Sequence, residues 1–452
     1  MITFIFSCAS LIYVYNFNQP TNLVKGIFDK NAVWTSFSQR KNYVENGFVA
    51  GFLYNLNAPA VEKPTNYSKK TIEGIVKKYE KIADEINRNR DGEIEEVNII
   101  YVMSESFSDP KKIEGATVSQ DPIPKTRSLI EKNLSGQMYS QGYGGGTANI
   151  EFEALTSFSM EPMAPSITTP YIQLTDKISK MPTIVSYLAE RGYTTTAMHP
   201  YQVSMYKRTD VYKKMGFDYF IHEDNMENKE KLEHSPYISD ESAYKEVLSH
   251  IAETPEKDFL HLVTMQNHGG YTGKYDQLDY KSEGLPNNEE AENYYKGLAY
   301  SDDFLADFIE QVSQLPEKTI VVFWGDHLPG FYGDDISVKN GRLKMHSTPL
   351  IIYSNFKENS SDLKTISPMY FMNHILEESN SSITPFYALT YKLESLLPAF
   401  EKELYLEEGA SEPKSTRNML SNETLEILEE YDAIEYDVTT GNNYLKNYDF
   451  FK

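Results

Sequence analysis

The sequence predicts an α/β protein with a mostly parallel sheet covered by helices on both faces. Two observations carry that reading. Five short apolar runs, at 97–103 (VNIIYVM), 193–198 (YTTTAM), 259–264 (FLHLVT), 319–324 (TIVVFW) and 349–353 (PLIIY), have the length of buried strands. Stretches with helical pattern at 182–191, 240–253 and 288–315 separate them, and alternation of this kind implies βαβ units. No internal repeat and no low-complexity linker divides the chain, so one large domain with a lead-in is the economical reading.

In chain order, residues 2–15 (ITFIFSCASLIYVY) are uncharged and rich in bulky apolar side chains. The run is shorter than the roughly 20 residues a spanning helix needs, and it lacks the positive start of a cleaved signal. We read residues 1–17 as the end of a membrane anchor; the alternative is a buried strand or helix. Residues 18–94 form a connector with the aromatic anchors Trp34, Phe37, Phe48 and Phe52. It closes on an amphipathic helix at 68–90, where Ile72, Ile75, Val76, Tyr79, Ile82, Ala83 and Ile86 recur at spacings of three and four. Pro64 and Gly92 stand at its boundaries. The strand–helix alternation fills 95–400. Residues 401–452 are an acidic extension, with a helix expected at 423–431 followed by an extended tail.

Of the 452 residues, 43 are Lys or Arg and 66 are Asp or Glu, a net charge of −23. Such an excess of acid excludes a nucleic-acid binder, which needs a basic face. Cys8 is the single cysteine, so there is no internal disulfide, no CxxC redox pair and no cysteine-rich metal site.

Ligands of open parallel sheets bind beyond the carboxyl ends of the strands, so the residues after each run are informative. They are Ser104-Glu105-Ser106, His199-Pro200-Tyr201, Gln266-Asn267-His268-Gly269-Gly270 and Gly325-Asp326-His327. Each has a plain structural alternative: Glu105 as a helix cap, His268 as part of a turn, His261 as a core histidine, His346 as structural. Asp326-His327 is the hardest to dismiss, since Gly325 before it and Leu-Pro after it force a turn directly behind a hydrophobic strand. The run Gly144-Gly145-Gly146 precedes Thr147 at a helix start. There, free N–H groups favour phosphate, and a metal would help the hydroxyl lose its proton. Alone, this segment could be a flexible connector with Thr147 as its cap. Glu105, Thr147, Asp326 and His327 together would offer three oxygens and one imidazole. That donor set suits one divalent ion, Mn²⁺ first, with Mg²⁺ or Zn²⁺ as alternatives.

The segments SESF, GYGGGTANIEFEALTSF, TMQNHGGY and FWGDHLPGFYG, in this order, resemble the lipoteichoic acid synthase-like phosphoglycerol transferases of the alkaline phosphatase/sulfatase superfamily. The resemblance covers roughly residues 30–400. It implies a sulfatase-like catalytic domain over 95–400 with a smaller C-terminal subregion, Thr147 as nucleophile, and Glu105, Thr147, Asp326 and His327 as metal ligands. His199, Tyr206 and Arg208 in HPYQVSMYKR, together with Asn267 and His268, are implied to bind the glycerol phosphate, with His268 near the transferred group. The polymerases usually carry Lys before the threonine and Trp in the aromatic slot, where this chain has Gly146 and Tyr206. The layout is closer to streptococcal relatives that decorate rhamnose-rich wall polysaccharide. The implied partners are phosphatidylglycerol as donor, a wall polysaccharide or teichoic acid as acceptor, and the cell membrane, with the catalytic domain on its outer side. Alternatives are a lipoteichoic acid polymerase, a phosphoethanolamine transferase or phosphodiesterase, and a non-catalytic wall-glycan binder. A sulfatase proper would need a Cys or Ser to convert to formylglycine, which Thr147 does not provide.

Overall fold

A computed structural model describes residues 2–19, 21–34, 38–56 and 58–452; Phe37 lies outside the described residues. Eight strands make the central sheet: β1 (Val97–Ser104), β2 (Leu134–Tyr139), β3 (Thr194–His199), β4 (Tyr219–His222), β5 (Asp258–Val263), β6 (Lys318–Gly325), β7 (Ser347–Ser354) and β8 (Asp362–Ile366). Their spatial order is β8-β2-β7-β6-β1-β5-β3-β4. All run parallel except β7, which is antiparallel to both β6 and β2. The fold class is therefore as expected.

All five expected strands form, and three further ones join them. Both β4 and β8 are edge strands: β8 (DLKTI) alternates exposed polar residues with partly buried ones, and β4 (YFIH) is apolar but only four residues long. The sequence of β2, LSGQMY, is too polar to stand out, although it lies inside the sheet. Its Gly136 is required by packing: a Cβ there would lie 2.6 Å from the Lys364 carbonyl oxygen of β8.

Strand alternation divides the core between the two faces. Ile99, Tyr101 and Met103 of β1, with Ile320, Val322 and Trp324 of β6, point to one face. Ile100, Val102, Val321 and Phe323 point to the other. Against the first face pack α4 (Lys69–Asn87) and the C-terminal α9 (Asn422–Thr439). The expected amphipathic helix is α4, capped at its N-terminus by the Ser68 hydroxyl and burying Ile72, Ile75, Val76, Tyr79 and Ala83. Against the second face pack α7 (Asp240–Glu253) and α8 (Asn288–Ser313).

The C-terminal stretch differs from the expectation of a short helix and an extended tail. The helix α9 runs on to Thr439, because Ile434 and Val438 continue its buried stripe beside Leu428 and Tyr431. Acidic residues between them mask that stripe in the sequence. The chain beyond folds back in a 3₁₀ turn at Tyr444–Asn447, where Asp437 accepts from the Tyr444 and Leu445 amides, and Phe450 is buried.

At the other end, α1 (Ile2–Tyr15), α2 (Leu23–Phe28) and α3 (Gln39–Asn55) form a small helical unit around Phe17, Ala50 and Tyr54. Along α1 the side chains of Phe4, Ile5, Phe6, Leu11 and Ile12 are exposed. No helix among the described residues is long and apolar enough to cross a membrane.

Candidate active site

Sheet register brings the first two site residues together. Ser104 of β1 pairs with Gly325 of β6, so Glu105 and Asp326 leave neighbouring strands side by side. The crossing is tight: a Cβ at position 325 would lie 1.8 Å from the Phe107 carbonyl oxygen, and only glycine fits. Asp326 Oδ1 then accepts from the amides of Ser106 (2.7 Å) and His327 (2.8 Å), which orients the carboxylate.

The glycine run positions the nucleophile candidate. The Gly144 amide donates to the Leu328 carbonyl at 2.9 Å, tying the run to the loop after β6. Gly146 has φ +102°, a left-handed conformation that disfavours side chains. It caps α5 (Thr147–Thr156), whose first residue donates from Oγ1 to Asp326 Oδ2 at 2.7 Å. Thr147 thus stands at a helix N-terminus, where unpaired amides favour an anion.

Donor atoms of Glu105, Asp326 and His327 all lie within 4.8 Å of one another, and all three residues are buried. His327 Nδ1 faces the Leu328 carbonyl at 3.0 Å, so that nitrogen carries the proton. Nε2 is left facing the carboxylates, 3.3 Å from Asp326 and 3.9 Å from Glu105, the tautomer a metal ligand needs. Burial and the neighbouring Glu105 push the pKa of Asp326 up to about 6, against the pull of His327. These residues fit one divalent cation. The hard oxygen donors and single imidazole match the ion class expected from sequence, without distinguishing Mn²⁺ from Mg²⁺ or Zn²⁺.

A cavity of about 420 Å³ opens over this cluster. Glu105, Thr147 and His327 line it from below, and His199, Tyr206, Arg208 and His268 from the sides. Residues from five separate segments therefore meet in one place. A match to the sulfatase family over residues 97–380 spans all of them. The chain belongs to the sulfatase family.

Among solved structures, this family member is similar to the Streptococcus pyogenes phosphoglycerol transferase GacH in complex with sn-glycerol-1-phosphate. The identity is 31%, the TM-score is 0.77, and the match covers 87% of this chain and 99% of that one. It is 32% identical, over 76% of its length and 54% of the relative's, to a Rhizobium meliloti protein named for cyclic beta-1,2-glucan modification. It is 24% identical, over 54% of its length and 38% of the relative's, to the lipoteichoic acid synthase of Staphylococcus saprophyticus. The chain thus spans about half or less of the length of these two relatives. Within the sulfatase family it is a lipoteichoic acid synthase-like member.

Arg208, the first residue of α6 (Arg208–Met215), is only 2% exposed and is held from both sides. Its Nη2 donates to Glu151 Oε2 at 3.0 Å, and its Nη1 lies 3.4 Å from His199 Nε2. His199 keeps its proton on Nδ1, facing the Val263 carbonyl at 3.0 Å. Burial and the Arg208 charge hold it neutral, with its pKa lowered to about 3. Glu151 also accepts from the Tyr212 hydroxyl, and His261 Nε2 lies 3.3 Å away. His261 is thus a core residue, as its apolar run suggests, but it faces the carboxylate that anchors Arg208. Burial opposes charge on Glu151, yet Arg208 chiefly, then His261 and Tyr212, hold its pKa down at about 2. The guanidinium remains a fixed cation at the cavity wall, with the Tyr206 ring 5.3 Å from it.

His268 lines the cavity, whereas its neighbour Asn267 does not. Asn267 turns to α8 and donates to Ser301 Oγ at 2.8 Å, because successive residues of the turn point to opposite sides. His346, read as structural, faces the Ser140 carbonyl at 2.9 Å and stacks between Tyr139 and Tyr143, away from the cavity.

Three supporting residues were not found from sequence. Glu151 stands one helical turn after Thr147, and an acid inside the apolar run NIEFEAL was the available signal. Tyr237 and Lys274 belong to segments without a motif. The Lys274 ammonium donates to the carbonyls of Gln266 (3.2 Å) and His268 (2.6 Å) and lies over the rings of Tyr237 and Tyr271. Burial lowers its pKa to about 8, against the pull of Glu105 and Asp240.

Proposed function

We propose that this chain is a metal-dependent phosphoglycerol transferase that moves glycerol phosphate from phosphatidylglycerol to a hydroxyl of a cell-wall glycopolymer, on the outer side of the membrane. The observation that carries the reading is the Thr147 hydroxyl, set at a helix N-terminus 2.7 Å from Asp326 within a cavity that also presents Arg208. The likeness to GacH over nearly all of that chain supports the glycerol phosphate substrate, and the Rhizobium meliloti relative supports a glycan acceptor.

A divalent ion, Mn²⁺ by our reading, would be held by Glu105, Thr147, Asp326 and His327; when bound it lowers the proton affinity of the threonine hydroxyl and polarises a phosphoryl oxygen. The chain's own residues do the rest. In the first step Thr147 Oγ forms a bond to phosphorus, and the bond from phosphorus to the diacylglycerol oxygen breaks. The proton given up by Thr147 is balanced by the one the departing alkoxide gains, with His268 Nε2 as carrier. In the second step an acceptor hydroxyl bonds to phosphorus, the Oγ–P bond breaks, and Thr147 regains a proton. Arg208 and the α5 amides offset charge on the phosphoryl oxygens throughout. Tyr206 and His199 border the glycerol.

The test is intact-protein mass after incubation with phosphatidylglycerol and Mn²⁺. A glycerophosphoryl adduct on the wild type and none on Thr147→Ala is expected. Wild type without adduct and without released glycerol phosphate would refute the donor. Transfer that persists in Thr147→Ala would refute the nucleophile.

A further inference from the structure

The N-terminal helical unit carries an outward apolar surface that its own core does not need. Phe17, Ala50 and Tyr54 point inward, with Trp34 4.6 Å from Tyr54. Leu23 and Ile27 of α2 and Val44, Phe48, Val49 and Phe52 of α3 point outward, with Phe48 74% exposed. Gly47, at φ +79°, breaks α3 into two pieces, and Phe48 stacks on Phe52 at 6.4 Å beyond the break. Exposed apolar clusters of this kind mark interaction surfaces.

Charge distinguishes the partner. Residues 1–60 contain Lys25, Lys30, Arg40 and Lys41 against only Asp29 and Glu45, in a chain whose net charge is −23. The chain's acid thus lies elsewhere, and the apolar unit itself carries more base than acid, four residues against two. Bulky apolar and aromatic groups with nearby bases are the chemistry of a helix lying in an anionic lipid surface.

The same unit is joined to the cavity mouth. Asn55 of α3 accepts from Gln173 Nε2 at 3.3 Å, and Gln39 donates to the Ser166 carbonyl. Next to Gln173, Ile172 is 46% exposed, and its carbonyl accepts from Lys207 Nζ at 3.4 Å. Two residues before Lys207, Met205 is 50% exposed and lines the cavity. Hydrogen bonds thus link the helix that carries Phe48 to the segment of Ile172, and that segment through Lys207 to the segment of Met205.

We propose that α2, α3 and the Ile172–Met205 edge form a collar that rests in an anionic bilayer surface and seats the cavity mouth on it. A phospholipid donor then reaches Thr147 without its acyl chains leaving the lipid. This rests on the donor reading above, but lipid contact is measured independently of transfer. The experiment uses the full chain with Cys8→Ser and a single cysteine at Phe48, Ile172 or Val338, each carrying an environment-sensitive fluorophore. Vesicles of equal phosphatidylglycerol and phosphatidylcholine are added, with brominated acyl chains as quenchers. Blue-shifted, quenched emission at 48 and 172, none at the exposed but distant-in-sequence Val338, is expected, together with weaker effects on pure phosphatidylcholine. An unchanged label at Phe48 on chains that float with vesicles would overturn the collar. So would shielding at Phe48 without vesicles at doubled molecular mass, which would assign the surface to a second copy. Lipid contact at both positions with no phosphoglycerol transfer would leave the collar standing and remove the donor reading.

Discussion

The Tyr237 hydroxyl lies 3.0 Å from His268 Nδ1 and 3.1 Å from the Gly269 carbonyl oxygen. A hydroxyl has one proton, and the carbonyl can only accept. Tyr237 therefore donates to Gly269 and accepts from His268, which places the imidazole proton on Nδ1 and the lone pair on Nε2. Burial lowers the pKa of His268, so the ring is neutral at neutral pH and its Nε2 is ready to take a proton. Tyr237→Phe should lower kcat about tenfold with KM little changed, since general acid–base catalysis depends on the correct tautomer. The acid limb of kcat/KM should fall below the ordinary histidine value of about 6.5. A rise in KM with kcat unchanged would assign His268 to phosphate binding alone.

The crowded carboxylates Glu105 and Asp326 predict a metal-dependent stability. An ion that binds only the folded chain stabilises it in proportion to the logarithm of its concentration. Mn²⁺ should raise Tm of the wild type and leave Asp326→Asn unmoved, with chelator reversing the gain. Equal shifts in both chains would place the ion elsewhere.

Glu151 and Arg208 form a buried ion pair at 3.0 Å, with both side chains essentially inaccessible. Removing one charge leaves the other without compensation, a loss of about 3–5 kcal/mol. Glu151→Gln should thus shift the urea midpoint strongly downward and also weaken glycerol phosphate binding. A variant with normal stability would show that Arg208 does not depend on this carboxylate.

Glu153, on α5, is buried with Oε1 accepting from Gln141 (3.0 Å) and the Met160 amide (2.8 Å), while Oε2 has no partner among the described residues. Burial pushes its pKa up to about 8, against about 4.3 in the unfolded chain. The folded state therefore holds a proton that the unfolded state has lost. This contribution is fully present below about pH 4.3, declines as pH rises, and is gone above about 8. Glu153→Gln keeps the accepting oxygen and should flatten this decline, raising Tm at pH 8 more than at pH 5. Parallel Tm–pH curves for the two chains would show that Glu153 is ionised when folded.

The sequence by itself determined the alternating strand–helix order, the five core strands and the chemistry at their ends. Apolar runs and the glycines at 144–146 and 325 are local signals, and each fixes a local conformation. It did not determine the polar strand β2, the edge strands β4 and β8, or the continuation of α9, whose stability comes from neighbours distant in sequence. Only the tertiary structure decided that Asn267 faces Ser301 while His268 faces the cavity, and that Glu151, His199 and His261 converge on or beside Arg208. Those residues stand on separate elements, and only the shared sheet brings their charges and protons within hydrogen-bonding or close electrostatic range.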